Sequence, residues 1–444
     1  MKIKNFLMER AFFNLLPILY SVKLDWIEGL RKRNHPFYPI FQKGFKERYF
    51  QVNEKFREKF IENFIFRGVW QNQKIRDKAT AEGAAPLTTL LISPLMRCNL
   101  NCVGCYAKNY SKETDMPFEL FDRIVTEAKK DIGVVFFTIL GGEPFLREDI
   151  FEIFKKHSDT YFQLFTNGTL IDEKIAQKLI DCGNVFVNFS IEGFEKETDE
   201  RRGKGVYQKL MRAMDVLRER KIPFGYSVCV TRKNAEVVVS DEFVDLMVKK
   251  GAFVGWYFLY MPVNGDKNTE LMPTPEQRNN QRLRRNEIRK KFPIFIIDFW
   301  NDAPFVGGCI AAKYYCHVNN FGDLEPCIFT HFAQANIKNL PLKEALKCQF
   351  FKEIRKRQPY SPNLLMPCML ILLMPCMLID HPHVIREISQ VCKISPTHSG
   401  AQTLIKDLKE PLDQYSQKVH QIYDKIWEEV EATFGEKLKK DKKL

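Results

Sequence analysis

From about residue 88 onward, short apolar runs alternate with longer amphipathic ones six times in succession. "TTLLIS" leads to "PFELFDRIVTEAKKDI", "VVFFTIL" to "REDIFEIFKKH", and "YFQLFTN" to "DEKIAQKLIDC". "VFVNFSI" then leads to "VYQKLMRAMDVLRERK", "FGYSVCV" to "SDEFVDLMVKK", and "FVGWYFLYM" to "TPEQRNNQRLRRNEIRKKF". The short runs have strand composition, and the long ones repeat their apolar positions with helical period. Six such units predict an α/β fold, a parallel sheet covered by helices and either open or curled into a barrel. Folds of this kind bind ligands at the carboxyl ends of their strands.

That rule assembles a rim. The loop after the first strand, "RCNLNCVGCY" (Arg97–Tyr106), carries Cys98, Cys102 and Cys105. A closed zinc site takes four ligands; three thiolates leave one coordination position open, on a working metal ion or on one iron of a cubane cluster. "GGEPF" (141–145), "TNGT" (166–169) and "SIEG" (190–193) follow the second, third and fourth strands. Each alone reads as a turn; their placement after successive strands puts them on one rim.

The 444 residues suffice for two or three domains, and 12 cysteines in such a chain are too dilute for a disulfide scaffold. Their clustering predicts metal ligation in a reducing cytoplasm. The net charge of +13 comes largely from runs such as "RLRRNEIRKK" (282–291) and the tail "EKLKKDKKL". These read as solvated helix faces, and with no nucleic-acid motif beside them no specific nucleic-acid partner is expected. The first 24 residues combine charge with an apolar middle, but Glu9, Arg10, Asn14 and Pro17 interrupt it and no cleavage site follows. The apolar runs fall short of the ~20 residues needed to span a bilayer. Helices packed on the sheet are expected in preference to a membrane surface.

With "CNLNCVGC" fitting CxxxCxxC, and "GGEP" after the next strand, the region from about 88 to 300 resembles the radical S-adenosylmethionine (SAM) enzymes. The resemblance implies a partial (β/α)6 barrel in which Cys98, Cys102 and Cys105 hold a [4Fe-4S] cluster and SAM takes the open iron. It also implies that Gly141, Gly142 and Glu143 receive the methionyl amino group. Ser190 and Glu192 would contact the ribose or the methionyl carboxylate, and the backbone of Tyr106 the adenine. A low-potential donor such as flavodoxin or ferredoxin would supply the electron that splits SAM into methionine and a 5′-deoxyadenosyl radical, in an anaerobic setting.

Further on, "CIAAKYYCHVNNFGDLEPC" (Cys309–Cys327) has C-x12-G-x4-C spacing and resembles the start of a SPASM or twitch extension. The CxxC pair of a full SPASM domain is absent, so the resemblance implies one auxiliary [4Fe-4S] cluster. Its ligands would be Cys309, Cys327 and a later "MPC" cysteine, with the fourth undetermined and Cys316 pointing away. Cys182, Cys229, Cys348 and Cys392 read as incidental thiols. Asp298, Asn301 and Asp302, at the end of a further strand-like run, fit either substrate contact or a capping role.

The "MPC" cysteine comes twice, because residues 364–371 and 372–379 are identical copies of "LLMPCMLI". Cys368 and Cys376 are therefore interchangeable on sequence, either one sufficing, and Asp380 reads as the N-cap of the helix that follows. The expected divisions are a helical extension (1–85), the core (86–303), the auxiliary-cluster region (304–385) and a helical tail (386–444). The substrate reading is a peptide or protein side chain, with a lipid or other small metabolite as the alternative. A non-catalytic iron-sulfur electron-transfer or scaffold protein is the reading from another class.

Overall fold

The computed structural model describes residues 46–360 and 373–441. All six strand–helix units form. Strands β1 (Thr89–Ile92), β2 (Phe136–Ile139), β3 (Tyr161–Thr166), β4 (Val185–Ser190), β5 (Phe224–Val230), β6 (Val254–Leu259) and β7 (Phe295–Asp298) lie side by side in chain order. Every neighbouring pair among them is parallel. The sheet curves without closing, which is the partial barrel expected.

Alternation along each strand sorts the side chains. Leu90, Ile92, Phe137, Ile139, Phe162 and Leu164 are buried beneath the helices. The intervening residues, among them Leu91, Thr138, Gln163, Phe165, Trp256 and Phe258, face the concave side and line a cavity. The covering helices end as their sequences suggest. Ser240 caps Asp241–Lys250 through the Phe243 amide, and Thr274 with Gln277 forms a capping box on Pro275–Lys291.

The sheet does not stop at the expected boundary near residue 303. Strand β8 (Tyr315–Val318) pairs in parallel with β1, and β9 (Asp323–Glu325) pairs antiparallel with β8. Two short strands come next, β10 (Phe332–Ala333) and β11 (Ala335–Asn336), of which β11 continues the same sheet. The other, β10, pairs with β12 (Ser395–Pro396) from the C-terminal region. The auxiliary hairpin is thus an extension of the core sheet.

The described part of the N-terminal extension is helical. Phe64 packs edge-on against Phe136 at 5.1 Å and Phe60 against Tyr161 at 5.7 Å, both partners being the first residues of their strands. The extension covers the amino-terminal end of the sheet, opposite the cysteine loop. Residues 1–45 lie outside the described residues, and with them the choice between packing and membrane surface for the first thirty. Among the described residues no helix is long and apolar enough to cross a membrane.

The basic helix Pro275–Lys291 departs from the expected solvated face. Arg278, Arg285 and Arg289 are buried. Arg285 and Arg289 both pair with Asp302, at 2.7 and 2.5 Å, and Arg278 pairs with Asp380 at 2.5 Å. Each buried guanidinium needs a counter-charge, so part of this basic run is internal architecture.

Candidate functional site

A cavity of about 470 Å3 occupies the concave side of the sheet and opens toward the carboxyl ends of the strands. Cys98, Cys102 and Cys105 line it, and so do Cys309, Cys327 and Cys376. Aromatic side chains, including Phe165, Trp256, Phe258, Phe299 and Phe329, make up much of the wall between them.

The cysteine loop is held from two sides. Arg97 forms a bidentate pair with Asp115 (3.0 and 2.9 Å) and donates to the Leu146 carbonyl. The GGE backbone lies directly against the loop, with the Gly142 amide donating to Leu95 O and the Glu143 amide to Arg97 O, each at 3.0 Å. A Cβ on Gly141 would come 2.1 Å from Leu95 O, and one on Gly142 would come 2.0 Å from Arg97 O. Gly141 also has φ +109°. These glycines are required for the approach of one loop to the other. The Tyr106 hydroxyl closes the junction, accepting from Gly141 N and donating to Gly141 O.

Two of the expected contact residues have their carboxylates engaged inside the protein. Glu143 is fully buried, and its carboxylate accepts from Thr166 Oγ1 (2.7 Å), Asn167 N (2.7 Å) and Phe145 N (3.2 Å). Burial pushes this carboxyl up to about 7 against the pull of those hydrogen bonds. It ties the GGEP loop to the TNGT loop and does not line the cavity. Glu192 is also fully buried; it pairs with Arg201 (2.6 Å) and with Arg202 Nε (2.8 Å), and accepts from the Cys229 amide. Carboxylates placed this deep take internal partners, because leaving either the acid or the arginines unpaired would be costly. Ser190 stays on the cavity wall as expected.

Sequence reasoning missed three residues here. Arg201 and Arg202 line the cavity beside the cysteine loop, with Arg202 Nη1 4.0 Å from Cys102 Sγ. Asn167 donates to Asn99 Oδ1 and points its amide at Cys98 Sγ from 3.7 Å. The available signal was "DERRGKG", a paired arginine about ten residues after the buried glutamate of "SIEG". Burial raises the Cys98 and Cys102 thiols, opposed by the Leu100 amide at the first and by both guanidiniums at the second.

The second thiol group is assembled from three separate segments. Cys309 follows β7, Cys327 follows β9, and Cys376 lies in the second octapeptide copy. Cys376 lies close enough to Cys309 and Cys327 for each to disfavour its ionisation. Tyr315 lies beside Cys327, and Tyr360 lies beside Cys309. Cys368 lies outside the described residues.

The backbone amide two residues on donates to the sulfur at Cys98 (Leu100 N, 3.4 Å), Cys327 (Phe329 N, 3.2 Å) and Cys376 (Leu378 N, 3.4 Å). Such N–H···S bonds stabilise thiolate charge and tune iron-sulfur clusters. Cys316 is buried and faces Cys348 and Arg355, away from the cavity. Cys182 and Cys392 are buried elsewhere, but Cys229 lines the cavity. Among the described residues no three His, Cys, Asp or Glu side chains converge on one point as ligands of a single ion do. A cubane asks for one thiolate per iron, so the donor sets fit it without that convergence.

Two further expectations bear on packing, that for Asp298, Asn301 and Asp302 and that for Asp380. Asp298 and Asn301 are buried and bonded to each other (2.7 Å), and Asn301 also accepts from Tyr423 of the C-terminal helix. Asp302 reaches the cavity wall with its carboxylate committed to Arg285 and Arg289. The structural reading therefore holds for this trio. Asp380 is not an N-cap: His381 takes that position, and the Asp380 carboxylate turns inward to Arg278.

An open α/β sheet with three thiols on its rim, facing an apolar cavity, defines a cofactor-binding enzyme core. Residues 92–239 match the family model described as the Radical SAM superfamily. Proteins of that superfamily use a [4Fe-4S] cluster and SAM. An AdoMet-dependent heme synthase of Methanosarcina barkeri is 26% identical over 292 residues, covering 58% of this chain and 82% of the relative. Streptococcus suis SuiB bound to its precursor peptide SuiA superposes with TM-score 0.58 at 17% identity, over 87% of this chain and 94% of that one. The enzyme anSMEcpe with bound AdoMet and the Cp18Cys peptide superposes with TM-score 0.55 at 20% identity, over 68% of this chain and 99% of that one.

Proposed function

We propose that the chain uses its cluster at Cys98, Cys102 and Cys105 to cleave SAM, and abstracts hydrogen from a peptide or protein side chain held between that cluster and an auxiliary one. The observation that carries this reading is the single cavity walled by both thiol groups. When bound, the first cluster supplies the electron that splits SAM into methionine and the 5′-deoxyadenosyl radical.

The chain's own residues do the rest. The backbone of Gly141 and Gly142 receives the methionyl ammonium, Arg201 and Arg202 supply positive charge for its carboxylate, and Ser190 offers a hydroxyl to the ribose. The adenine lies by the Tyr106 backbone. The aromatic wall holds the target C–H bond and excludes water, which is the protein's share of a radical reaction. Cys309, Cys327 and Cys376 ligate the auxiliary cluster.

The peptide reading is supported by the fold shared with SuiB and anSMEcpe, both solved with peptides. A small-metabolite substrate is the second reading, favoured by the apolar wall and by the relative named a heme synthase. An acidic electron donor such as flavodoxin or ferredoxin suits a chain of charge +13, in a cytoplasmic, anaerobic setting. Protein reconstituted anaerobically with iron and sulfide is expected to hold about eight irons. With SAM and a strong reductant it should release 5′-deoxyadenosine slowly without substrate. Zinc in place of iron after anaerobic purification, or no 5′-deoxyadenosine, overturns the proposal.

A further inference from the structure

The two octapeptide copies carry the same cysteine, so their own sequences cannot decide which one ligates. Their downstream neighbours differ. Four residues after Cys376 stands Asp380, whereas four residues after Cys368 stands Leu372. Asp380 is fully buried, and its carboxylate does two things at once. Oδ2 accepts from the Cys376 backbone amide at 3.0 Å, and both oxygens take the Arg278 guanidinium, at 2.5 and 3.2 Å.

Arg278 is itself fully buried, and it also donates to the Leu373 carbonyl, at 3.1 Å, within the same copy. The Asp380 and His381 amides return to the Cys376 carbonyl, at 3.0 and 2.9 Å, and the His381 ring lies 3.0 Å from the Met374 carbonyl. The C-terminal helix adds a last bond, from Ser416 Oγ to Asp380 O. The Cys376 loop is thus bonded by its amide, its carbonyl and its entry strand to groups that lie beyond or outside the repeat.

We infer that Asp380 and Arg278 are the positioning residues of the auxiliary site, and that the Cys-x3-Asp spacing selects Cys376 over Cys368 as the ligand. The ion pair is anchored on the core helix Pro275–Lys291, so it fixes the loop relative to the sheet that carries Cys309 and Cys327. A cysteine without the acid four residues on lacks this acceptor for its amide and this link to Arg278. This inference rests on the auxiliary-cluster reading above.

Deleting residues 372–379 leaves one copy directly before Asp380, the same chain that deleting 364–371 gives, and asks whether a single copy with the acid four residues on suffices. The shortened connection can be spanned, since the Tyr360 hydroxyl lies 3.7 Å from Met377 Sδ. Iron content and the electron paramagnetic resonance spectrum of the reduced, anaerobically reconstituted full chain are the readouts. Cys376→Ala is expected to lose about half of the iron and the second cluster's signal, while Cys368→Ala keeps both. The deletion is expected to keep both as well, and the deletion combined with Cys368→Ala to lose them.

Asp380→Asn, which retains an acceptor oxygen but leaves Arg278 unpaired, should lose the second signal. If it fails to fold, the contrast between Cys376→Ala and Cys368→Ala still decides. Retention in Cys376→Ala, or loss in the deletion, overturns the inference. A wild-type protein with only about four irons would instead overturn the auxiliary-cluster reading.

Discussion

The two thiol groups of the cavity are built in opposite ways. Cys98, Cys102 and Cys105 come from one loop of eight residues, held to its neighbours by backbone bonds to Gly142 and Glu143. Cys309, Cys327 and Cys376 come from segments spread over 68 residues and meet only because β8 joins β1 and Asp380 reaches Arg278. A local site depends on one turn and the loops that touch it. A dispersed site depends on the sheet, the core helix and the C-terminal region together, so it is the more exposed to changes far from its ligands.

The comparison is broken most directly by removing each set in turn. Replacing Cys98, Cys102 and Cys105 with Ala is expected to abolish 5′-deoxyadenosine formation and about half of the iron. Replacing Cys309 and Cys327 should remove a similar share of iron while SAM is still cleaved. Loss of SAM cleavage in the second variant, measured by chromatography of the products, would show that the two sites are not separable.

A smaller effect sharpens the local side. Glu143→Ala leaves Thr166 Oγ1 and the Asn167 and Phe145 amides without their acceptor, which costs about 3 kcal/mol of stability at ~1 kcal/mol for each of the three groups, the lower end of the range for a buried unsatisfied group. SAM affinity should fall with the loosened junction, since the carboxylate makes no direct contact with the cavity. Denaturant unfolding gives the first quantity and equilibrium binding the second; weaker binding at unchanged stability would restore direct contact.

The smallest expected effect concerns acid. His331 and His398 form a buried pair in which Gly400 N donates to His398 Nδ1 (3.1 Å). His398 Nε2 faces His331 Nδ1 (2.7 Å), and His331 Nε2 faces Ile328 O (2.9 Å). This chain of donors is satisfied with both rings neutral. Burial pushes both down to about 4, below the usual value near 6.5. The folded state then binds fewer protons than the unfolded one, so stability is full above about pH 6.5 and is lost as pH falls toward 4. The pair links the Cys327 loop to the C-terminal region, so hydrogen exchange should rise there first, ahead of the Cys98 loop. Equal loosening of both loops would remove the distinction.

Much of the core was legible. The six strand–helix units, the placement of four loops on one rim and the three-cysteine spacing depend on local period and short-range spacing, which a sequence carries openly. The roles of Glu143 and Glu192 were not legible, because an acid in a rim motif looks the same whether it faces a ligand or a buried partner. Arg278 and Asp380 were hidden for a related reason: 102 residues separate them, and each sits in a stretch that reads as an ordinary helix or helix cap.

The sequence by itself determined the sheet, the first thiol site and the approach of the GGE backbone to it. Each depends on residues that are neighbours along the chain or at the ends of adjacent strands. Only the tertiary structure decided that the auxiliary hairpin extends the core sheet, that the paired arginines face Cys102, and that Cys376 stands with Cys309 and Cys327. Burial makes that last decision. A charge taken out of water must find its partner wherever the fold brings one, and Asp380 found Arg278 on the core helix.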